Sequence, residues 1–169
     1  MDILLVDGYN IIGAWKELRA LKADKLIDAR DRLIEMMAEY KAFSGFRVIV
    51  VFDAYLVPGI EKKKKQYDVE VIFTRENETA DERIEKLTSQ LMSRRVQVHV
   101  ATSDLTEQWV IFAQGALRKS ARELEIEMEI VQGNITRKVK AIQDQRPFSK
   151  IQLSDEVAEI FEKWRRGMK

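Results

Sequence analysis

Cysteine is absent from this 169-residue chain, which excludes disulfides, zinc–thiolate centres and thiol nucleophiles and fits a reducing compartment. Histidine occurs once, as His99, so an acid–base nuclease built on two histidines is excluded. The place of His99 inside an apolar run marks it as a side chain packed in a sheet. There is no Gly-x-Gly-x-x-Gly and no Gly-Lys-Ser/Thr segment to cradle a nucleotide cofactor. An excess of one charge is also lacking. The 29 Lys and Arg against 28 Asp and Glu give a net charge of +1, so a nucleic-acid surface must come from local segregation of charge. No apolar run reaches the roughly 18 residues of a membrane span, and the chain enters its first apolar run at Ile3 without a basic leader. These absences lead to the expectation of a cytoplasmic protein with no membrane partner and no nucleotide cofactor. Repeats, low-complexity tracts and long linkers are missing as well, and a hydrophobic content of 46% over this length predicts a single domain spanning residues 1–169.

What the chain does have is a recurring pattern of apolar, β-branched runs that end on aspartate. Ile3 to Val6 leads to Asp7, Val48 to Phe52 leads to Asp53, and the run from Val96 to Ser103 leads to Asp104. If these runs are parallel neighbours, their carboxylates emerge at the carboxyl edge of one sheet, where open α/β sheets bind ligands. Like charges gathered there repel one another unless a cation sits among them, so the pattern suggests a divalent metal. Asp53 is the weaker member, because an aspartate at a strand end also caps turns.

Strands alternate with helices along the chain. A helical stretch is expected from about Ile11 to Leu21. A stronger helix follows from about Asp24 to Phe43, with Leu26, Ala29, Leu33, Met37 and Tyr40 at helical spacing and Ser44-Gly45 as its stop. After the second strand, Pro58-Gly59 opens a loop that contains Lys62 to Lys65. A third strand over Val69 to Thr74 precedes a helix from about Thr79, with Ile84, Leu87 and Leu91 inward. Asp104 then opens a helix carrying Trp109 and Phe112. Ser120 with Glu123 has capping-box spacing and predicts a short helix before a fifth strand near Met128 to Val131. Two C-terminal helices, Ile135 to Gln143 and Asp155 to Arg166, complete an α/β fold of three layers, with about five parallel strands and helices on both faces.

Two segments carry the sharpest local signals. Asp81 falls in the first turn of the helix after the third strand, at the same edge as Asp7 and Asp104, although acids in a first turn also satisfy the helix dipole. Asp7-Gly8-Tyr9-Asn10 places an amide three residues after a carboxylate, with Gly8 permitting a tight turn. Val6 to Asn10, the segment Thr79-Ala80-Asp81-Glu82-Arg83-Ile84 and Thr102-Ser103-Asp104 together resemble the NYN domain, a branch of the PIN-like nucleases. The tract Gly115 to Leu124 narrows the resemblance to the bacterial YacP-type branch, and the likeness covers essentially the whole chain.

The resemblance implies a PIN-like, Rossmann-like fold and a site that holds one or two Mg²⁺ or Mn²⁺ ions. It matches Asp7, Asp81 and Asp104 to the metal-binding acids, Asn10 to the accompanying amide and Glu82 to a weaker ligand. Where PIN-like sites carry one more acid after the fourth strand, this chain has Glu107 and Gln108, which puts a second metal position in doubt. The implied activity is endonucleolytic cleavage of mRNA in partnership with the ribosome. Elementary chemistry agrees with this, since phosphodiester hydrolysis suits hard cations held by carboxylates.

Substrate contacts are expected from Lys62, Lys63, Lys64 and Lys65, flanked by Tyr55 and Tyr67, and from Arg118, Lys119 and Arg122, through charge and stacking. Trp15, Trp109 and Trp164 sit on apolar helix faces and are expected in the core. Two alternatives keep the fold. One is a metal-dependent phosphatase, against which Asp7 lacks a second aspartate two residues on. The other is a non-catalytic adaptor that binds RNA or the ribosome.

Overall fold

Continuous burial along β1 (Asp2–Asp7) decides the architecture, because both faces of this strand are covered. Leu4 and Val6 pack into one apolar layer with Ile11, Leu18, Leu33 and Met37. Ile3 and Leu5 pack into another with Ile84, Val98, Val100 and Ile111. A strand buried on both sides reads as a continuous apolar run and belongs in a parallel sheet between two helical layers. In this computed structural model the described residues are 1–54, 62–145, 159, 160, 163, 165 and 166.

The remaining strands are β2 (Arg47–Phe52), β3 (Lys62–Gln66), β4 (Val69–Phe73), β5 (Gln97–Ala101) and β6 (Leu117–Lys119). They form a six-stranded sheet in the order β3-β4-β2-β1-β5-β6. β4, β2, β1, β5 and β6 pair in parallel, and β3 adds an antiparallel edge. The helices are α1 (Gly8–Ala14), α2 (Lys16–Asp24), α3 (Leu26–Ser44), α4 (Ala80–Leu91), α5 (Leu105–Ala113) and α6 (Ala121–Gln145). Met1–Gln132 forms one compact unit, which holds the sheet, and Gly133–Lys169 forms a second. No helix among the described residues is long and apolar enough to cross a membrane.

The expected long helix is present as α3, with Ala29, Leu33, Met37 and Tyr40 buried on one stripe. It ends on Gly45, whose φ of 76° supplies the left-handed stop. The first helical stretch instead breaks in two at Trp15, which is extended (φ −90°, ψ 128°). Its indole is buried, and Nε1 donates to the Ala121 carbonyl at 2.8 Å. His99 lies in β5 with its ring 5.0 Å from that of Phe46 and its Nε2 3.0 Å from Asp2 Oδ1.

Besides the break at Trp15 and the expected Ile135–Gln143 helix, which is the end of α6, three expectations need correction. The fifth parallel strand is Leu117–Lys119, and Met128 to Val131 lies within α6, where Leu124, Met128 and Val131 are buried at helical spacing. Ser120 and Glu123 do form the capping pair, with Glu123 N donating to Ser120 Oγ at 3.1 Å and Ser120 N to Glu123 Oε2 at 3.0 Å. The lysine run is a strand, not a loop. It pairs with β4 from Lys62 against Phe73 to Gln66 against Val69, through a two-residue turn in which Tyr67 and Asp68 have φ of 50° and 66°. Such a turn matches the strand twist, and Lys41 Nζ clamps it by donating to the Asp68 carbonyl at 2.6 Å and to Oδ2 at 2.9 Å. Lysine on an edge strand also discourages pairing with another chain. The third correction concerns Trp109, which is 75% exposed. Trp164, Tyr55 and most of the helix expected over residues 155–166 lie outside the described residues.

Candidate functional site

The crossovers from β1 and β5 leave the sheet on opposite faces, since α1 contributes Ile11 and Ile12 to one core layer and α5 contributes Ile111 to the other. At such a switch point the carboxyl edge opens into a crevice. A cleft of about 460 Å³ lies at this edge, lined by Asp7, Tyr9, Asn10, Asp53, Thr79, Ala80 and Asp81.

Each lining acid is set in place by its own element. Asp7 ends β1 and is the residue before α1, only 7% exposed, and its side chain makes no capping bond to that helix. Gly8 permits the abrupt entry into α1, because a Cβ there would overlap the ring of Phe52. The Phe52 ring in turn meets Tyr9 at 5.0 Å and Phe73 at 5.5 Å, so an aromatic stack backs Tyr9, which lines the cleft. Arg30 of α3 edges this stack, 5.7 Å from the Phe73 ring, and donates from Nη1 to the Tyr9 hydroxyl at 3.3 Å. Burial pushes the Tyr9 phenol above its ordinary pKa and the Asp53 carboxylate adds to that. The Arg30 guanidinium pulls the other way without cancelling it. Tyr9 therefore remains a hydroxyl beside Asp53. Asp53 follows β2, where Ala54 N donates to Thr74 Oγ1 at 2.9 Å.

Asp81 sits in the first turn of α4, whose start is fixed twice over. Thr79 and Glu82 form a capping box, with Glu82 N donating to Thr79 Oγ1 at 3.2 Å and Thr79 N to Glu82 Oε2 at 3.3 Å. Just before it, the buried Glu78 carboxylate accepts from Arg83 Nε at 3.0 Å and Nη2 at 2.8 Å, and from Lys86 Nζ at 3.2 Å. The Arg83 hydrogen bonds, against the opposing pull of burial, hold the Glu78 carboxyl down at about 2. Helix α4 is thus anchored at the turn that carries Asp81.

Asn10 of α1 ties the segment after β1 to the segment after β5. Its Oδ1 accepts from Ser103 N at 2.7 Å and from Ser103 Oγ at 2.9 Å. An amide oxygen has two lone pairs, and both are engaged here, so Asn10 acts as a tie between loops rather than as an open metal ligand. Asp104 heads α5. Its N–H donates to Thr102 Oγ1 at 3.1 Å and its carbonyl accepts from Gln108 N at 3.0 Å.

The structure therefore brings Asp7, Asn10, Asp53 and Asp81 round one cleft. Asp104 is absent from the cleft-lining residues, and Glu82 is engaged as the cap of α4. Gln108 is buried, with Nε2 donating to the Thr102 carbonyl at 2.8 Å and Oε1 accepting from Arg118 Nη1 at 3.4 Å. Arg122 on α6 is ion-paired at the surface with Glu125 at 3.0 Å, and Tyr67 is 63% exposed in the β3–β4 turn. Sequence reasoning passed over Arg30 and the Glu78–Arg83 clasp. Arg30 stands one residue off the apolar stripe of α3, and no local pattern marks it. Glu78 and Arg83, five residues apart, flank a visible capping box and were within reach.

The donor set fits Mg²⁺ or Mn²⁺, since the lining ligands are hard carboxylate oxygens and no Lys or Arg is among the described lining residues. Among the described residues no three His, Cys, Asp or Glu side chains come together as a group that could hold a metal ion. Mg²⁺ needs none, as it is usually held by one or two carboxylates and keeps several waters.

Comparison with known proteins identifies the family of the chain. The profile of the family described as YacP-like NYN domain matches residues 4–166. The Bacillus subtilis (strain 168) protein YacP is 63% identical over 167 residues, covering 99% of this chain and 98% of that protein. The crystal structure of Rae1 (YacP) from Bacillus subtilis is similar at a TM-score of 0.78 and 63% identity, over 99% of this chain and 96% of that one. The structure of its W164L mutant is similar at 0.76 and 58% identity, over the same shares of 99% and 96%.

Proposed function

This chain belongs to the YacP-like NYN family, of nuclease-type fold, and from that premise we propose that it is a metal-dependent endoribonuclease that cuts mRNA in the cytoplasm in association with the ribosome. The observation that carries this reading is the gathering of Asp7, Asp53 and Asp81 round one cleft at the carboxyl edge of a parallel sheet. Asp7 and Asp81 are the residues that would hold the cation. A bound Mg²⁺ or Mn²⁺ supplies an activated water and stabilises charge at phosphorus and on the leaving oxygen.

The rest of the work falls to the chain's own residues. Asn10 keeps the β1 and β5 loops together, so the strand enters a cleft of fixed width. The Tyr9 phenol, kept protonated by burial, donates a hydrogen bond to a phosphate oxygen, and Arg30 orients it. The Glu78–Arg83 clasp fixes the first turn of α4 and with it Asp81. With a net charge of +1 the whole-molecule field attracts RNA weakly, which supports delivery of the strand by a large partner such as the ribosome.

Mapping of RNA 5′ ends in a translating extract tests the reading, with wild type and Asp81→Asn side by side. New ends are expected with wild type and not with the variant. Equal ends from both would sink it. Ribosome association that survives Asp7→Asn while cleavage is lost separates an enzyme from an adaptor, which would lose neither. A small phosphoester left uncut alongside cut RNA disposes of the phosphatase.

A further inference from the structure

A second cleft, of about 480 Å³, is lined among the described residues by Gln108, Trp109, Phe112 and Arg118. Trp109 and Phe112 are 75% and 62% exposed, three positions apart on α5 and so on one face of it. Two large rings left in water cost solvation energy that a folded chain usually recovers by burial, and such exposure marks a binding surface. Opposite them stands Arg118 of β6, whose guanidinium is steadied by Gln108 Oε1 at 3.4 Å. Gln108 is itself fixed by its bond to the Thr102 carbonyl at 2.8 Å. The next residue, Ser103, donates twice to Asn10 at the acidic cleft. The two clefts thus share one hydrogen-bonded loop.

Given the reading of the acidic cleft as a nuclease site, on which this inference rests, we propose that the Trp109–Phe112–Arg118 cleft is a stacking platform for the bases of single-stranded RNA flanking the scissile phosphate. The chemistry selects this occupant. Every nucleobase has a π face that aromatic rings accept without regard to sequence, and a guanidinium serves equally as a stacking plane and as a partner for backbone phosphate. No acid is among the described lining residues to repel the strand. The acidic cleft, by contrast, offers no cation among its described lining residues to hold an unreacted phosphodiester. The platform supplies that hold beside it.

The test uses the full chain in chelator at low salt, so that no cleavage intervenes, and a short uridine oligoribonucleotide as the probe. Binding is read by fluorescence anisotropy and by quenching of tryptophan emission. Trp109→Ala and Phe112→Ala are each expected to raise Kd by about 5- to 150-fold. The quench should disappear in Trp109→Ala, and Trp109→Tyr should restore most of the affinity. Both rings are exposed, so circular dichroism should match wild type; if an alanine variant does not fold, comparison of Trp109→Tyr with Trp109→Leu decides the same question. Unchanged affinity in the ring variants overturns the platform, and so does a wild type that binds no oligoribonucleotide. If the ring variants alter only self-association or capture of a protein partner, the cleft is a protein contact and the proposal fails. The nuclease reading fails separately, through Asp81→Asn cutting as well as wild type, so the two failures are distinguishable.

Discussion

The acidic cleft and the aromatic cleft each have a lining residue hydrogen-bonded to the segment Thr102-Ser103-Asp104, but they are built in opposite ways. The acidic side rests on buried structure. Asp7 is 7% exposed, Phe52 fills the space beneath Gly8, and a buried ion pair braces the helix that carries Asp81. The aromatic side leaves its two largest rings in solvent and fixes only its arginine. Gathering like charges is costly, so rigid surroundings must hold the carboxylates in place. Stacking tolerates adjustment, and exposed rings on one helix face suffice for it. Substitutions on the acidic side should therefore divide into those that remove chemistry and those that remove support, whereas those on the aromatic side should leave stability alone.

The largest expected effect breaks the chemistry and spares the scaffold. Asp7→Asn or Asp81→Asn should lower RNA cleavage by about 10²–10³-fold or more in end-mapping assays. Because removing one of several like charges relieves repulsion, the thermal midpoint should hold or rise. Glu78→Gln does the reverse. It leaves Arg83 buried without its carboxylate, which should cost about 3–5 kcal/mol in denaturant unfolding. The pH dependence of wild type sharpens this point. The Glu78 carboxyl is held at about 2 against an ordinary 4.5, chiefly by hydrogen bonds from Arg83. Its contribution is present in full above about 4.5 and is lost as pH falls towards 2, so the unfolding free energy should decline more steeply over that window in wild type than in the variant.

Gly8→Ala comes next. The added methyl meets the Phe52 ring, which is itself held between Tyr9 and Phe73, so overpacking of about 1–3 kcal/mol is expected by calorimetry, together with displacement of Asp7. The smallest effect belongs to Ser103→Ala. It removes the hydroxyl bond to Asn10 and keeps the amide one, for a loss of about 0.5–1.5 kcal/mol in unfolding.

Much of this was legible in the sequence, for identifiable reasons. The strands ending at Asp7 and Asp53 are apolar on both faces and therefore unmistakable, and the capping residues Thr79, Ser120 and Gly45 mark helix ends through local chemistry alone. The Asp7 and Asp81 pairing in one cleft followed from counting strands. Two kinds of feature escaped. Strand β3 is a lysine run and its turn, Tyr67-Asp68, lacks glycine, so neither composition nor turn signals announced a hairpin that depends on β4 and Lys41 for its place. Trp109 and Phe112 share helical spacing with core residues, and spacing cannot distinguish a stripe facing the sheet from one facing water. Only the fold shows that Ile111 takes the inward position on α5.

Titration of Mn²⁺ followed by electron paramagnetic resonance tests most directly whether the acidic cleft is a cation site, because it requires no substrate, ribosome or turnover. Wild type should deplete the free-ion signal, and Asp7→Asn should bind at least about tenfold more weakly with its fold intact. Equal depletion by both proteins, or none by wild type, would contradict the assignment of Asp7 and Asp81 to a metal.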